Sequence, residues 1–190
     1  SNASIIKGEN RVVGFDIGPG NGPLDKIANK FFNKHMDENG ALALRGKVDK
    51  KIANRIIDYI SREIKSKSYD RGIIDKICLQ EVKKISAENA LSTVTYTVSK
   101  MIRKKIEPHN VEKIILTGGG RNNLAIKMFL KKNQKFNIYN AEQIGWDGDS
   151  LEGEAFAYLA VRSLLGLSYT YKETTGVNID CSGGVLVNPT

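Results

Sequence analysis

Apolar positions along this chain follow two periods, and the breaks between them mark its elements. Arg11 to Asp16 (RVVGFD) is a short apolar run closed by Gly18-Pro19-Gly20-Asn21, which predicts a strand ending in a tight loop. Leu24, Ile27, Ala28, Phe31 and Phe32 then recur at helical spacing, and Asp37-Glu38-Asn39-Gly40 breaks that helix. Asp49 stands where it can cap a further helix carried by Ile52, Ile56, Ile57 and Ile60. Ser61 to Arg71 is polar and charged, which predicts a loop. A long helix is predicted from Ser86 to Ile106, with Ala90, Leu91, Val94, Val98 and Ile102 on one stripe and Pro108 closing it.

A βα unit follows. Val111 to Leu116 predicts a buried strand, Thr117 to Gly120 a glycine turn, and Asn123 to Lys131 a helix. Phe136, Ile138 and Tyr139 suggest one more strand, Leu151 to Leu165 a helix rich in alanine and aromatics, and the rest an irregular tail to Thr190. Strands alternating with helices predict an α/β fold whose ligand lies outside the carboxyl ends of the strands. The length of 190 residues suits one domain. Ser1-Asn2-Ala3 reads as a tag-cleavage scar and is set aside from the fold, leaving 4–190 as the domain.

Charge changes this picture little. The formal net charge is +8, from 29 Lys and Arg against 21 Asp and Glu. The lysines are spread along the chain with acids nearby, and no recognition-helix, RNA-binding or zinc signature accompanies them. A basic surface that helps to hold a phosphate is expected, without a nucleic-acid partner. Cys78 and Cys181 have neither metal spacing nor a disulfide framework. No apolar run approaches the ~20 residues of a membrane span, and no signal peptide is visible. A cytoplasmic location without membrane contact is the expectation.

Three segments can carry chemistry. In Asp16-Ile17-Gly18-Pro19-Gly20-Asn21 an acid at a strand's carboxyl end precedes a glycine-rich loop. The carboxylate can hold Mg²⁺, directly or through water, and the small loop lets backbone N–H groups approach phosphate oxygens; a plain strand-to-loop turn explains the hexapeptide as well. Gly118-Gly119-Gly120 ends a strand before a helix and permits close approach by a ligand. It is neither a dinucleotide fingerprint, since Asn123 stands where the third glycine belongs, nor a Walker loop, since no Lys-Ser/Thr follows. A nucleotide and a tight turn both suit it. In Asp147 to Ala157 the acids favour a helix dipole, which is explanation enough, although Glu152 can also bond sugar hydroxyls. His35, His109 and Trp146 read as surface or packing residues.

Together these segments resemble one family, anhydro-N-acetylmuramic acid kinase, within the superfamily of acetate and sugar kinases, Hsp70 and actin. The stretches that carry the resemblance are GFDIGPGNG (14–22), KHMDENGALALRGKVD (34–49), KSYDRG (67–72) and ISAENALSTVTYTVS (85–99). They continue through ILTGGGRNN (115–123), DSLEGEAFAYLAVRSLLGL (149–167) and TTGVNIDCSGGVLVNP (174–189).

The resemblance implies an RNase-H-like (actin-like ATPase) α/β lobe with a mixed sheet flanked by helices, one of two lobes that clamp ATP and Mg²⁺. It implies a reaction in which ATP and water open the 1,6-anhydro ring of anhydro-N-acetylmuramic acid and O6 is phosphorylated, as part of cell-wall (peptidoglycan) recycling. Carried over by motif, Asp16, Gly18, Gly20 and Asn21 form the second phosphate loop, with Asp16 toward Mg²⁺. Gly118, Gly119 and Gly120 face the adenosine, and Glu152 falls near the sugar. The family's loop has threonine where this chain has Ile17, so a hydroxyl toward phosphate is lost. A Gly-Thr-Ser-type first phosphate loop and the Asp-Phe-Arg-type motif that activates water are not in the sequence. The expectation is therefore a C-terminal, ATP-binding lobe without its N-terminal lobe, catalytically inactive alone, whose partners are that lobe and, as in the family, a second copy.

Overall fold

The computed structural model describes residues 1–8, 11–63 and 71–187. An antiparallel ribbon opens the chain: β1 (Asn2–Lys7) pairs with β2 (Arg11–Asp16), in register from Asn2 opposite Asp16 to Lys7 opposite Arg11. Ser1–Ala3, set aside on sequence grounds, thus belong to the fold, because Asn2 and Ala3 complete the ladder to Asp16 and Phe15. Ser1 extends this contact, its carbonyl accepting the Ile17 N–H at 3.0 Å.

Helix α1 (Gly22–Phe32) starts directly from the glycine loop, with Pro23 in its first turn, and stops at Asn33 in a left-handed conformation. Proline suits a first turn, where its missing N–H is no loss. Asp37 then accepts the N–H groups of Leu42 at 2.8 Å and Ala43 at 2.9 Å, which starts the short α2 (Ala41–Arg45). Helix α3 (Lys50–Glu63) is capped as expected by Asp49, which accepts from Lys51 and Ile52. The predicted loop over 61–71 is corrected at both ends, since Ser61–Glu63 continue α3 and Arg71 opens α4 (Arg71–Val82). The intervening 64–70, with most of KSYDRG, lie outside the described residues. Helix α4 was not foreseen. It buries Ile74, Cys78 and Val82, four residues apart, against the other helices.

The core gathers around α5 (Ala87–Ile106), capped by Ser86, whose hydroxyl accepts the Asn89 N–H. Ala90, Leu91, Val94 and Val98 are buried as the stripe requires. Ser92, Thr93, Thr95, Thr97 and Ser99 are buried too. Thr97 and Ser99 donate to the carbonyls one turn back, and Thr93 accepts the Asp49 N–H, whereas the Thr95 hydroxyl has no partner among the described residues. Helix α5 is packed by α1, α2, α3 and α6 (Leu124–Lys131), which explains why even its small polar residues are covered.

Beyond α5 a parallel pair is formed by β3 (Lys113–Leu116) and β4 (Asn137–Asn140), in register from Lys113 opposite Asn137 to Leu116 opposite Asn140. The predicted buried strand is corrected here: β3 is half-buried on one face only, and Ile115 is 40% exposed. Parallel strands are normally covered on both faces, and only one face of β3 is covered. The expected mixed sheet accordingly stands, among the described residues, as one antiparallel and one parallel pair. Helix α7 (Leu151–Leu164) has no buried residue, and the tail after it forms a short α8 (Lys172–Thr175) lying on β2. No helix among the described residues is long and apolar enough to cross a membrane.

Candidate functional site

The chain leaves β2 at Asp16 and alternation takes over. Asp16 is exposed, while Ile17 turns inward and is 3% exposed within the core. Ile17 therefore packs rather than facing a ligand, and its lack of a hydroxyl changes the core side of this loop. Gly18 to Asn21 then deliver the chain into α1, and the Asn21 carbonyl accepts the Asp25 N–H at 2.9 Å as the first helical bond. A helix N-terminus presents unpaired N–H groups and a partial positive charge, both suited to an anion.

The second loop arrives from β3. Gly118 has φ +64°, a left-handed backbone that favours glycine. Gly119 and Gly120 face Asn21, and a Cβ at either position would reach ordinary contact, 3.4 Å, with its side-chain amide. Asn123 then caps α6 by accepting the Ile126 N–H at 3.0 Å. Gly40 sits against that cap, where a Cβ would lie 2.2 Å from Asn123 Oδ1. The motif around 34–49 thereby braces the glycine turn.

A cleft of about 560 Å³ joins these pieces. Asp16, Gly18, Gly20, Asn21, Gly119 and Glu152 all line it, the last from the first turn of α7. Gly118 and Gly120 flank Gly119 without lining the cleft themselves. Sequence reasoning missed Ile74 and Asp75, which line it from α4. The signal was available in the spacing of Ile74, Cys78 and Val82. Asp75 is buried, and its charge adds to the effect of burial in pushing the Cys78 thiol up to about 12.

It also missed Arg121. Its guanidinium is buried behind the glycine turn, with Nε 2.7 Å from Glu142 and Nη2 2.9 Å from Asp149. Nη1 donates to the Gly118 carbonyl at 3.2 Å. The carboxylate hydrogen bonds, Glu142 before Asp149, hold the arginine further toward its charged form. Glu142 is held below the usual carboxylate range, first by a backbone N–H and then by Arg121. Asp147 is lowered chiefly by the Ser150 hydroxyl, at 2.7 Å, and then by backbone N–H groups. His35 is exposed as expected, His109 stacks on Phe15 at 5.4 Å between ring centres, and Trp146 is 45% exposed rather than packed.

Comparison with known proteins adds a family to this geometry. The family model described as anhydro-N-acetylmuramic acid kinase matches residues 1–189. The anhydro-N-acetylmuramic acid kinase of Rhizobium etli is 36% identical over 193 residues, covering all of this chain and 51% of the relative. That of Caulobacter vibrioides is 35% identical over 98% of the chain and 50% of the relative. That of Methylorubrum populi is 33% identical over the whole chain and 50% of the relative. The chain spans about half the length of the curated relatives it matches.

Proposed function

Because the chain belongs to the anhydro-N-acetylmuramic acid kinase family, we propose that it is the C-terminal, ATP-binding lobe of a two-lobed sugar kinase with an RNase-H-like, actin-like fold. The whole enzyme would spend ATP and water to open the 1,6-anhydro ring of anhydro-N-acetylmuramic acid and place the phosphoryl group on O6, in cytoplasmic recycling of peptidoglycan. The observation that carries this reading is the single cleft to which both glycine loops and Glu152 contribute.

The residues fit the groups expected there. Gly119 and Gly120 leave open the space that a side chain would fill against Asn21, so a flat adenosine can approach the backbone. Gly18, Gly20 and Asn21 sit before the α1 N-terminus, where phosphate oxygens are stabilised. Among the described residues no group of three acidic, histidine or cysteine side chains is arranged to hold a metal. Mg²⁺ keeps its waters and binds through one or two carboxylates plus phosphate, and Asp16, which lines the cleft, would be the carboxylate. Bound Mg²⁺ supplies charge neutralisation at the phosphates. Glu152 would orient sugar hydroxyls.

The chain alone is expected to be inactive, since general-base catalysis contributes about 10²–10⁴-fold and, among the described residues, no side chain lining the cleft matches the family's water-activating motif. The exposed apolar residues of α7 (Phe156, Tyr158, Val161 and Leu164) mark a face that a second lobe or a second copy would cover. Calorimetry of the chain with Mg·ATP, and a phosphorylation assay with and without a separately expressed N-terminal lobe, test the reading. Saturable nucleotide binding abolished by Gly119→Val, with activity appearing only when both lobes are mixed and requiring Asp16, is expected. Nucleotide binding with no activity in the mixture would leave a non-catalytic remnant, and no binding would overturn the assignment.

A further inference from the structure

The two walls of the cleft that come from the C-terminal part of the chain, the turn 118–120 and the first turn of α7, share one physical link. Arg121 is 4% exposed and its guanidinium is divided among three segments. Nη1 reaches the Gly118 carbonyl, which also accepts the Arg121 N–H at 3.1 Å. Nε pairs with Glu142 in the helical turn after β4, and Nη2 with Asp149 just before α7. From Asp149 the connection to α7 is short. Asp147 accepts the Asp149 and Ser150 N–H groups and the Ser150 hydroxyl, and the Ser150 carbonyl accepts the Glu154 N–H.

Gly148 shows that the space around the arginine is reserved for it. A Cβ there would lie 2.3 Å from Arg121 Nε and 2.7 Å from Glu142 Oε1. Gly148 does not have a positive φ, so a side chain there would displace the Arg121–Glu142 pair rather than strain the backbone. Lysine could not replace the arginine, because a single ammonium cannot span two carboxylates and a carbonyl in a planar fork.

We infer that Arg121 is a positioning residue: one buried guanidinium locks the glycine turn to the start of α7, so that Gly119 and Glu152 face the cleft as one unit. The inference rests on the proposed nucleotide cleft for its functional meaning, but its physical content is a coupling between two segments that can be measured without a ligand. The exchange of backbone amides reports local opening directly.

The experiment is hydrogen exchange followed by mass spectrometry on the full chain, comparing the parent with Arg121→Gln, Arg121→Lys and Gly148→Ala. Arg121→Gln and Gly148→Ala should both raise exchange over 117–123 and 147–154 together, by about tenfold or more, with α3 and α5 unchanged. Arg121→Lys should fail to restore parental protection. Glu142→Gln, which keeps the shape of the pair and removes its charge, guards against variants that do not fold and should give the same pattern more weakly. Opening of one segment without the other, or a rise spread equally over α5, would overturn the inference. Titration with Mg·ATP then separates it from the functional reading. If the parent binds nucleotide, the variants should bind roughly 3- to 30-fold more weakly, and unchanged affinity would overturn the positioning role. If the parent binds none, the nucleotide reading fails while the exchange data still decide the lock.

Discussion

Helices α5 and α7 invert the usual relation between sequence and burial. Helix α7 is the richer in apolar residue types, with Leu151, Phe156, Tyr158, Leu159, Val161 and Leu164 within fourteen positions, yet none of its residues is buried. Helix α5 carries serine, threonine and lysine throughout and buries eleven residues. The difference lies in what the chain supplies as cover. Helices α1 to α4 and α6 close on α5, whereas α7 is tethered at its start by Asp147 and Arg121 and touched by the tail through the Ser163 and Arg162 hydrogen bonds. Hydropathy reports what a helix would gain by burial. It does not report whether a covering surface is at hand, and among the described residues none covers α7.

Core truncation is the largest expected way to break this comparison. Leu91 is fully buried on α5, and Leu91→Ala should cost about 2–5 kcal/mol in urea unfolding. Phe156→Ala removes a larger side chain, but one that is 65% exposed, and should stay within about 0.5 kcal/mol. Equal losses from the two would mean that α7 is packed in solution, and the contrast would fail. Should the chain self-associate, the Phe156 effect should grow with protein concentration and that of Leu91 should not.

Two glycines sharpen the same contrast at a smaller scale. A Cβ at Gly46 would lie 2.1 Å from the Glu88 carbonyl oxygen at the start of α5. Gly46→Ala must force backbones apart, at a cost of about 1–3 kcal/mol. Gly153 lies in α7 with open space around it and no positive φ, so Gly153→Ala should stabilise by up to about 1 kcal/mol through helix propensity. Thermal melts of the two variants should therefore move in opposite directions. A fall in both would show that α7 is covered.

The sequence was most legible where one local rule sufficed. β2, α3, α5 and α6 follow from periodicity, with caps at Asp49, Ser86 and Asn123. The site residues were named through the family resemblance and not by a local rule, and six of the eight line one cleft. What local pattern does not encode was lost. Whether β3 and α7 are covered depends on distant elements, so β3 was expected to be buried. Ile17, read as a lost phosphate contact, is a core residue because strand alternation continues one position past Asp16. Arg121 carries no local signal of its role, since its partners Glu142 and Asp149 lie 21 and 28 positions away.

Acid should produce the smallest effect and, of the two helices compared, should act on α7 and not on α5. The cap of α5 is the Ser86 hydroxyl, which does not titrate, while the tether of α7 runs through carboxylates. Glu142 and Asp147 are both held below their ordinary values in the folded chain. A lowered folded pKa means that the contribution is fully present above the unfolded value, about 4 for a carboxylate, and is lost as pH falls through the lower folded values. Arg121 stays charged throughout, so it does not offset the loss. Glu142 and Asp149 are 47% and 84% exposed at their side chains, which keeps the effect small because water and salt screen such pairs. The single tryptophan, Trp146, adjoins this tether and reports on it. Its emission should hold steady from about pH 8 to about pH 5 and shift to the red only below about pH 4, with helical circular dichroism still intact. Glu142→Gln should reduce the titration amplitude. A shift that begins near neutral pH, or one that tracks the loss of all helix, would place the acid-sensitive link elsewhere than in the α7 tether.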